Sequence, residues 1–337
     1  MDTMNGKKIE AIAFTSTGEN LAEKLMGELG GNASRSGRPD SLKTWLADRF
    51  DEADALVFIG ATGIAVRAIA PYIESKAKDP AVVVTDEKGR FVIPLLSGHL
   101  GGANELAKKM AKITGGEAVI TTATDVQGVF AVDEWTRKHN CSILETDKIK
   151  NVSSTLLSGG VVTIRSPWAI KGKIPPGCIL TEADEADIAI DVRVKGEKPL
   201  HVIPKICTLG VGCRRGTSAT ALEHFLQKLL MDTDVHEEAI NAVATIDIKA
   251  DEPGLKEFCE KHGWELKIYS APELEKVPGK FSRSKLVSKV TGVDNVCERS
   301  AVLASGGELI HGKTAGDGIT MAIAMKDYKP DWRWLGE

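Results

Sequence analysis

A multidomain α/β protein, with open and mostly parallel sheets carrying helices on both faces, is the fold class this sequence predicts. Apolar runs of strand length alternate with amphipathic stretches of helix length. Several strand candidates end in clusters of glycine and threonine, as strands feeding βα turns do. The chain has 337 residues, more than one hydrophobic core usually supports. Three units are expected, over residues 1–135, 136–199 and 200–337.

The first strand is expected over residues 9–14, directly after the polar start. Ala55-Leu56-Val57-Phe58-Ile59 is a continuous apolar run, suited to a strand buried on both faces. It ends in Gly60-Ala61-Thr62-Gly63, and a short helix over 64–70 is stopped by Pro71. Phe91-Val92-Ile93 reads as another strand and runs into Pro94-Leu95-Leu96-Ser97-Gly98-His99-Leu100-Gly101-Gly102-Ala103-Asn104. Behind that turn, residues 105–113 form an amphipathic helix with Leu106, Ala107, Met110 and Ile113 on one face. A third βα unit follows, Ala118-Val119-Ile120 and then Thr121-Thr122-Ala123-Thr124-Asp125.

From Asp133 to Asn140 the pattern turns polar, and a smaller unit begins there. Its strands are expected over 161–164 and 188–192, with Pro175-Pro176-Gly177 as a turn. Lys195-Gly196-Glu197-Lys198-Pro199 is a polar linker. The last unit opens with a single strand over 201–209 and a helix over 218–230.

Three strand ends rich in Gly, Thr and one His fit the rule that open α/β sheets bind ligands at their strand carboxyl ends. Gly98, Gly101 and Gly102 let the main chain approach a ligand that a Cβ would block. His99 can exchange a proton near neutral pH, and the following helix adds N–H groups and a positive dipole end. Arg67, one turn inside its helix, could reach a carboxylate held at the helix start. The same pattern also suits a plain βα turn in which His99 only caps or packs.

Two later glycine motifs suggest nucleotides at first sight. Gly210-Val211-Gly212-Cys213-Arg214-Arg215-Gly216 follows a strand and precedes a helix. Its third glycine comes one residue late, however, and no acidic residue stands about 20 positions on, as a dinucleotide site needs. Arg214 and Arg215 suit carboxylates better, or are two solvated arginines at a helix start. Gly307-Glu308-Leu309-Ile310-His311-Gly312-Lys313-Thr314 satisfies the P-loop pattern letter for letter. Its interior reads as strand, and glycines stand where the helix should start, so ATP binding is not expected; Lys313 remains a candidate partner for a carboxylate. His139, His224 and His262 sit in polar helical stretches and read as surface residues.

The run from Gly60 to Pro71, the run from Pro94 to Asn104, and Thr121-Thr122-Ala123-Thr124-Asp125 together resemble the cobalt-precorrin-5A hydrolase (CbiG) family of anaerobic cobalamin biosynthesis. Residues 209–216 and 301–315 resemble that family's carboxyl-terminal domain, which also occurs alone as CobE. The resemblance implies a hydrolase that opens the δ-lactone of cobalt-precorrin-5A and releases C20 with its methyl group as acetaldehyde. It implies no cofactor and no resident metal, since the substrate carries the cobalt. Such acyl transfer to water needs a general base and donors for the oxyanion.

On those chemical grounds His99 is the expected base, with Asp125 in reserve and Ser97 beside them. Gly60, Thr62, Gly63, Arg67, Gly98, Gly101, Gly102, Asn104, Thr121 and Thr122 are expected to bind substrate from the first unit. Gly210, Gly212, Arg214, Arg215 and Lys313 are expected to do so from the last, all facing one shared cleft. A tetrapyrrole carrier and, less favoured, a nucleotide-dependent enzyme are the alternatives.

Composition narrows the partners. A net charge of −4 lacks the basic excess of nucleic-acid proteins. No apolar run approaches the roughly 20 residues that span a bilayer, and no signal-peptide core follows the start. The six cysteines are scattered without a Cys-x-x-Cys, so a reduced, cytoplasmic protein is expected. The expected partners are the cobalt-precorrin substrate and, transiently, precorrin methyltransferases; a homodimer is left open, and neither nucleic acid nor membrane is expected.

Overall fold

The structure, a computed structural model, describes residues 6–75, 78–283 and 291–334. The first sheet holds β1 (Ile9–Ala13), β2 (Asn32–Arg35), β3 (Ala55–Ile59), β4 (Ala81–Thr85), β5 (Phe91–Leu96) and β6 (Glu117–Ala118), in the order 2-1-3-4-5-6. Helices α1 (Ser16–Leu29), α2 (Leu42–Ala47), α3 (Thr62–Ile69) and α4 (Ala103–Thr114) connect these strands. Alternate strand residues face opposite layers, because strand side chains alternate with period two. Ala11, Val57 and Val83 meet Leu25 of α1 and Leu106 and Met110 of α4. Ile12, Phe58 and Val84 meet Trp45 of α2 and Ile69 of α3.

Strand direction within this sheet decides where the site is. β1, β2, β3 and β4 are parallel, but β5 pairs with β4 antiparallel, Val82 opposite Leu96 and Thr85 opposite Val92. β6 then runs parallel to β5. The loops leaving β5 and β6 therefore emerge at the edge where β3 and β4 begin. The loop leaving β3 emerges at the opposite edge.

The central sheet follows α5 (Ala123–Gln127) and α6 (Val132–Lys138). It holds β7 (Cys141–Ile143), β8 (Val162–Arg165), β9 (Cys178–Leu180), β10 (Ile188–Ile190) and β11 (Leu200–Pro204), in the order 7-11-10-8-9, with α7 (Ile149–Leu157) between β7 and β8. Its core takes Phe130, Val132 and Trp135 from the segment expected to close the first unit, and Trp332 from near the carboxyl terminus.

The third sheet comprises β12 (Cys207–Cys213), β13 (Ile240–Ile246), β14 (Glu265–Tyr269), β15 (Glu308–Gly316) and β16 (Ile319–Met325), ordered 14-13-12-16-15. Helices α8 (Ala219–Thr233) and α9 (Pro253–His262) cover one face, joined in sequence by α10 (Ala271–Glu275) and α11 (Cys297–Ser305). The single strand expected over 201–209 is thus two strands: Leu200–Pro204 completes the central sheet, and Cys207–Cys213 starts the third. Ile203 and Val192 pack into the core of the third unit, so these two units share apolar contact.

Candidate active site

The turn after β5 is built around close approaches. Ser97 has φ +54° and gives its hydroxyl proton to the Asp79 carbonyl at 2.9 Å. That bond commits the hydroxyl to holding the turn. A Cβ on Gly101 would stand 2.5 Å from the Ser97 Cβ, and one on Gly98 would stand 2.8 Å from the Asn104 Oδ1. Gly102 (φ +90°) turns the chain into α4. These glycines make room for protein groups, and the loop they shape delivers His99 and Asn104 to one point.

His99 is sealed between two carboxylates. Its Nε2 lies 2.7 Å from the Asp125 Oδ2 and its Nδ1 lies 3.3 Å from the Asp133 Oδ1. The side chain is only 10% exposed. Burial alone would lower its pKa, but hydrogen bonds to Asp125 and Asp133, and their charges, outweigh burial and push it up to about 10. At neutral pH His99 is an imidazolium whose two N–H groups are both committed. The two carboxylate contacts favour the protonated ring over the free base that the sequence suggested.

Asp125 receives a second bond from the buried Asn104 amide at 3.0 Å, and that amide also reaches the Thr122 hydroxyl at 3.2 Å. Lys108 stands 3.6 Å from the other oxygen of Asp125. Burial would raise the Asp125 pKa; the His99 contact and Lys108 more than reverse this, so the carboxylate stays ionised. Glu134, beside Asp133 on α6, is pushed the other way, chiefly by burial. It is 5% exposed, and its Oε2 has no hydrogen-bond partner among the described residues. The two neighbouring carboxyl groups are thus shifted in opposite directions, Asp125 down and Glu134 up.

Ligand atoms of His99, Asp125 and Glu134 lie within 4.8 Å of one another, a spacing a metal ion could bridge. A metal ion there would take the place of the proton that the two carboxylate contacts favour on His99.

The remaining expected residues fall elsewhere. Gly60 follows β3, and its N–H bonds the Thr85 carbonyl, at the far edge of the first sheet from His99. Thr62 and Gly63 open α3 on that edge, with the Arg67 guanidinium folded back over Gly63. Roughly 13 Å of strand, the length of β3, separates the two edges. The reversal of β5 is the cause. Thr121 is exposed beside Thr122, on the His99 edge.

In the third unit, Gly210 is a packing residue: its Cβ would sit 1.8 Å from the Cys297 carbonyl oxygen of α11. A Cβ on Gly212 would meet the Thr320 hydroxyl at 2.6 Å. Arg214 and Arg215 are exposed; the Arg214 N–H bonds the Gly318 carbonyl, and Glu252 accepts from Gly216. The Arg214 loop leaves the carboxyl end of β12, whereas Cys207 at the other end pairs with Ile240, near the side chains that meet the central unit. About 20 Å of strand intervenes, which sets Arg214 and Arg215 at the far end of β12 from those side chains. The Lys313 N–H donates to the buried Glu298 carboxylate at 2.7 Å within β15, so the P-loop-like letters form a strand.

His139 and His262 are not surface residues. They stack on Trp135 and Trp264, with ring centroids 4.2 and 4.1 Å apart. Sequence reasoning missed Asp133, Glu134 and Arg137 altogether, having read their polar stretch as a unit boundary. Acidic residues interleaved with the buried Val132 and Trp135 on one short helix, just after the buried Phe130, were the available signal.

A cavity of about 600 Å³ opens between the units; His99, Asp125 and Glu134 do not line it, but Leu100, the residue after His99, does, with Arg137, the β7 segment, His236 and Glu238. An ordered, charge-paired imidazolium next to such a cleft is the equipment of an α/β enzyme that moves protons on a bound ligand.

Family models agree on the class. Residues 44–125 match the model for "Cobalamin synthesis G N-terminal" and residues 207–324 that for "Cobalamin synthesis G C-terminus". The cobalt-precorrin-5A hydrolase of Priestia megaterium is 32% identical over 310 residues, covering 86% of this chain and 83% of that protein. The cobalt-precorrin-5A hydrolase of Salmonella typhimurium is 34% identical over 295 residues, covering 82% and 83%. Protein CobE of Sinorhizobium sp. is 29% identical over 103 residues, 30% of this chain and 67% of CobE. The chain belongs to the cobalt-precorrin-5A hydrolase family. His99, Asn104 and Asp125 lie inside the first matched region; Asp133, Glu134 and Arg137 lie outside both.

Proposed function

We propose that this protein hydrolyses the lactone of cobalt-precorrin-5A and releases acetaldehyde, with the His99–Asp125–Glu134 cluster handling the protons. The reading rests on 34% identity over 295 residues to a protein of that activity. Water adds to the lactone carbonyl and loses a proton; the ring C–O bond breaks and its oxygen, on C20, takes a proton. In the second stage that hydroxyl proton leaves and the C20 carbon–carbon bond breaks. The electron pair passes to the macrocycle and C20 departs as the aldehyde. Both stages require a group that takes and returns a proton near neutrality, which suits the raised Glu134 better than the ionised Asp125. His99 fixes Asp125 and Asp133 and supplies the positive charge that balances them.

No cofactor is needed for this chemistry, because the macrocycle accepts the electrons. Four of the six cysteines are buried and all six are free, which supports a reducing, cytoplasmic setting. Incubation with cobalt-precorrin-5A tests the reading. The expected result is stoichiometric acetaldehyde with a product lighter by C20. Binding without acetaldehyde would make the protein a carrier.

A further inference from the structure

Two carboxylate oxygens in the His99 cluster lack a hydrogen bond. The Glu134 Oε2 and the Asp125 Oδ1 are shielded from solvent, and neither has a hydrogen-bond partner among the described residues. Glu134 is 5% exposed and the Asp125 side chain 9%. Lys108 comes no nearer to the Asp125 Oδ1 than 3.6 Å, from a side chain that is 39% exposed. One ligand atom each from His99, Asp125 and Glu134 lies within 4.8 Å of the other two. Buried lone pairs without a donor are costly, and a cation seated among them satisfies both oxygens at once.

The three side chains come from three elements: the turn before α4, α5 and α6. Tertiary folding, not local spacing, brings them together. Their outer partners also suit a metal. A histidine bound to a metal usually gives its other ring N–H to a carboxylate, and carboxylate ligands are themselves hydrogen-bonded. Here the Asp133 Oδ1 lies 3.3 Å from the His99 Nδ1, and Asn104 donates to the Asp125 Oδ2 at 3.0 Å. The Nε2 faces Asp125. Bonds of about 2.0–2.2 Å put two ligands of one ion roughly 3–4 Å apart, so the set needs to contract by about an ångström. One imidazole with two carboxylates favours zinc or its neighbours over magnesium and calcium, which take oxygen ligands.

We propose that His99, Asp125 and Glu134 form a binding site for a divalent transition-metal ion, zinc above all, with the His99 Nε2 and one oxygen of each carboxyl group as ligands. The ion displaces the Nε2 proton, so the loaded site is a second state of the cluster, distinct from the proton-handling one. The inference goes beyond the hydrolase reading and departs from the expectation of no resident metal.

Calorimetric titration of the chelator-treated, substrate-free protein with zinc chloride tests it. One ion per chain is expected, and an equal concentration of magnesium should not displace it. Glu134→Gln and Asp125→Asn keep the side-chain shapes, and each should weaken zinc binding at least about tenfold, a loss that even an outer partner of a metal can cause. No binding to the wild type, or undiminished binding in both folded variants, overturns the proposal. Should the variants fail to fold, X-ray absorption of the zinc-loaded wild type reads the ligands directly. One imidazole with oxygen ligands is expected; sulfur, or a second imidazole, places the ion elsewhere and overturns the proposal. Acetaldehyde release is assayed separately, so failure of the hydrolase reading leaves the zinc result standing, and the reverse.

Discussion

His99 shows how a neighbourhood rewrites a residue's chemistry. The sequence marks it as a titratable group among glycines, and the chain does place it at a turn beside Asp125 and Asn104. What no local pattern could show was Asp133, eight residues beyond Asp125, closing on the second ring nitrogen. That contact favours the protonated ring, and for that reason the function proposed above gives proton exchange to Glu134. Glu134→Gln should therefore lower acetaldehyde release by on the order of 10²–10⁴, the usual effect of a positioned acid–base group. Turnover within a few-fold of wild type in the folded variant would exclude it. The pairing also fixes a pH dependence of stability. The folded pKa of His99, about 10, lies above its ordinary 6.5, so the stabilisation is complete below about pH 6.5 and is lost as pH rises toward 10. Asp125 is shifted downward, so its contribution holds above the ordinary carboxylate pKa of about 3.8 and fades in acid below it. The gap in melting temperature between wild type and His99→Gln should be widest at pH 5–6 and narrow steadily to pH 10. A gap that stays constant across that range would mean the imidazolium is not paired as described.

Among the elements, those fixed by local pattern were legible and those fixed by direction were not. Ala55–Ile59 is a strand as its unbroken apolar run dictates, and α4 buries Leu106, Ala107 and Met110 from the expected face. The reversal of β5 escaped notice although its signal was present. Asp86-Glu87-Lys88-Gly89 is far too short for a crossover between parallel strands, which takes a dozen residues or more. Asp86 accepts from the N–H groups of Lys88, Arg90 and Phe91, and Gly89 supplies the positive φ the turn needs. Missing that hairpin placed the Gly60 loop and the His99 loop on one edge when they occupy two. The glycines of β12 misled for a related reason: a glycine demanded by close packing of a helix on a strand looks the same as one demanded by a ligand. Gly210→Val should destabilise the protein by about 3 kcal/mol through overpacking against α11, read as a lower denaturant midpoint. By contrast, changing Arg214 and Arg215 together to Gln should leave the KM for substrate and its salt dependence as in the wild type. A clear rise in KM would return the far end of β12 to the site.

Across the whole molecule, the chain's two ends are tied to the helix that carries the cluster. The first unit reaches α6 through His99 and Glu105. The carboxyl-terminal stretch reaches it from the other side, 196 positions away in sequence, where the Trp135 indole N–H donates to the Asp331 carbonyl at 2.7 Å. Trp332 follows into the central core at 3% exposure, edge-on to Phe130. The unit boundaries read from composition cut through this arrangement, since polarity marks where a chain leaves a core but not where it later returns. Helix α6 is short and rich in charge, so its position depends on tertiary contacts more than on its own propensity. Deleting residues 330–337 removes one of those contacts and should cost about 3–5 kcal/mol, the range for emptying a buried tryptophan site. The loss should not stop at stability. With Trp135 released on one side, Asp133 and Glu134 lose their fixed distance to His99, so acetaldehyde release at saturating substrate should fall even at temperatures where the truncated chain remains folded. Full turnover in a destabilised truncation would show that the first unit alone sets the geometry of the cluster, and that the carboxyl-terminal strap serves stability only.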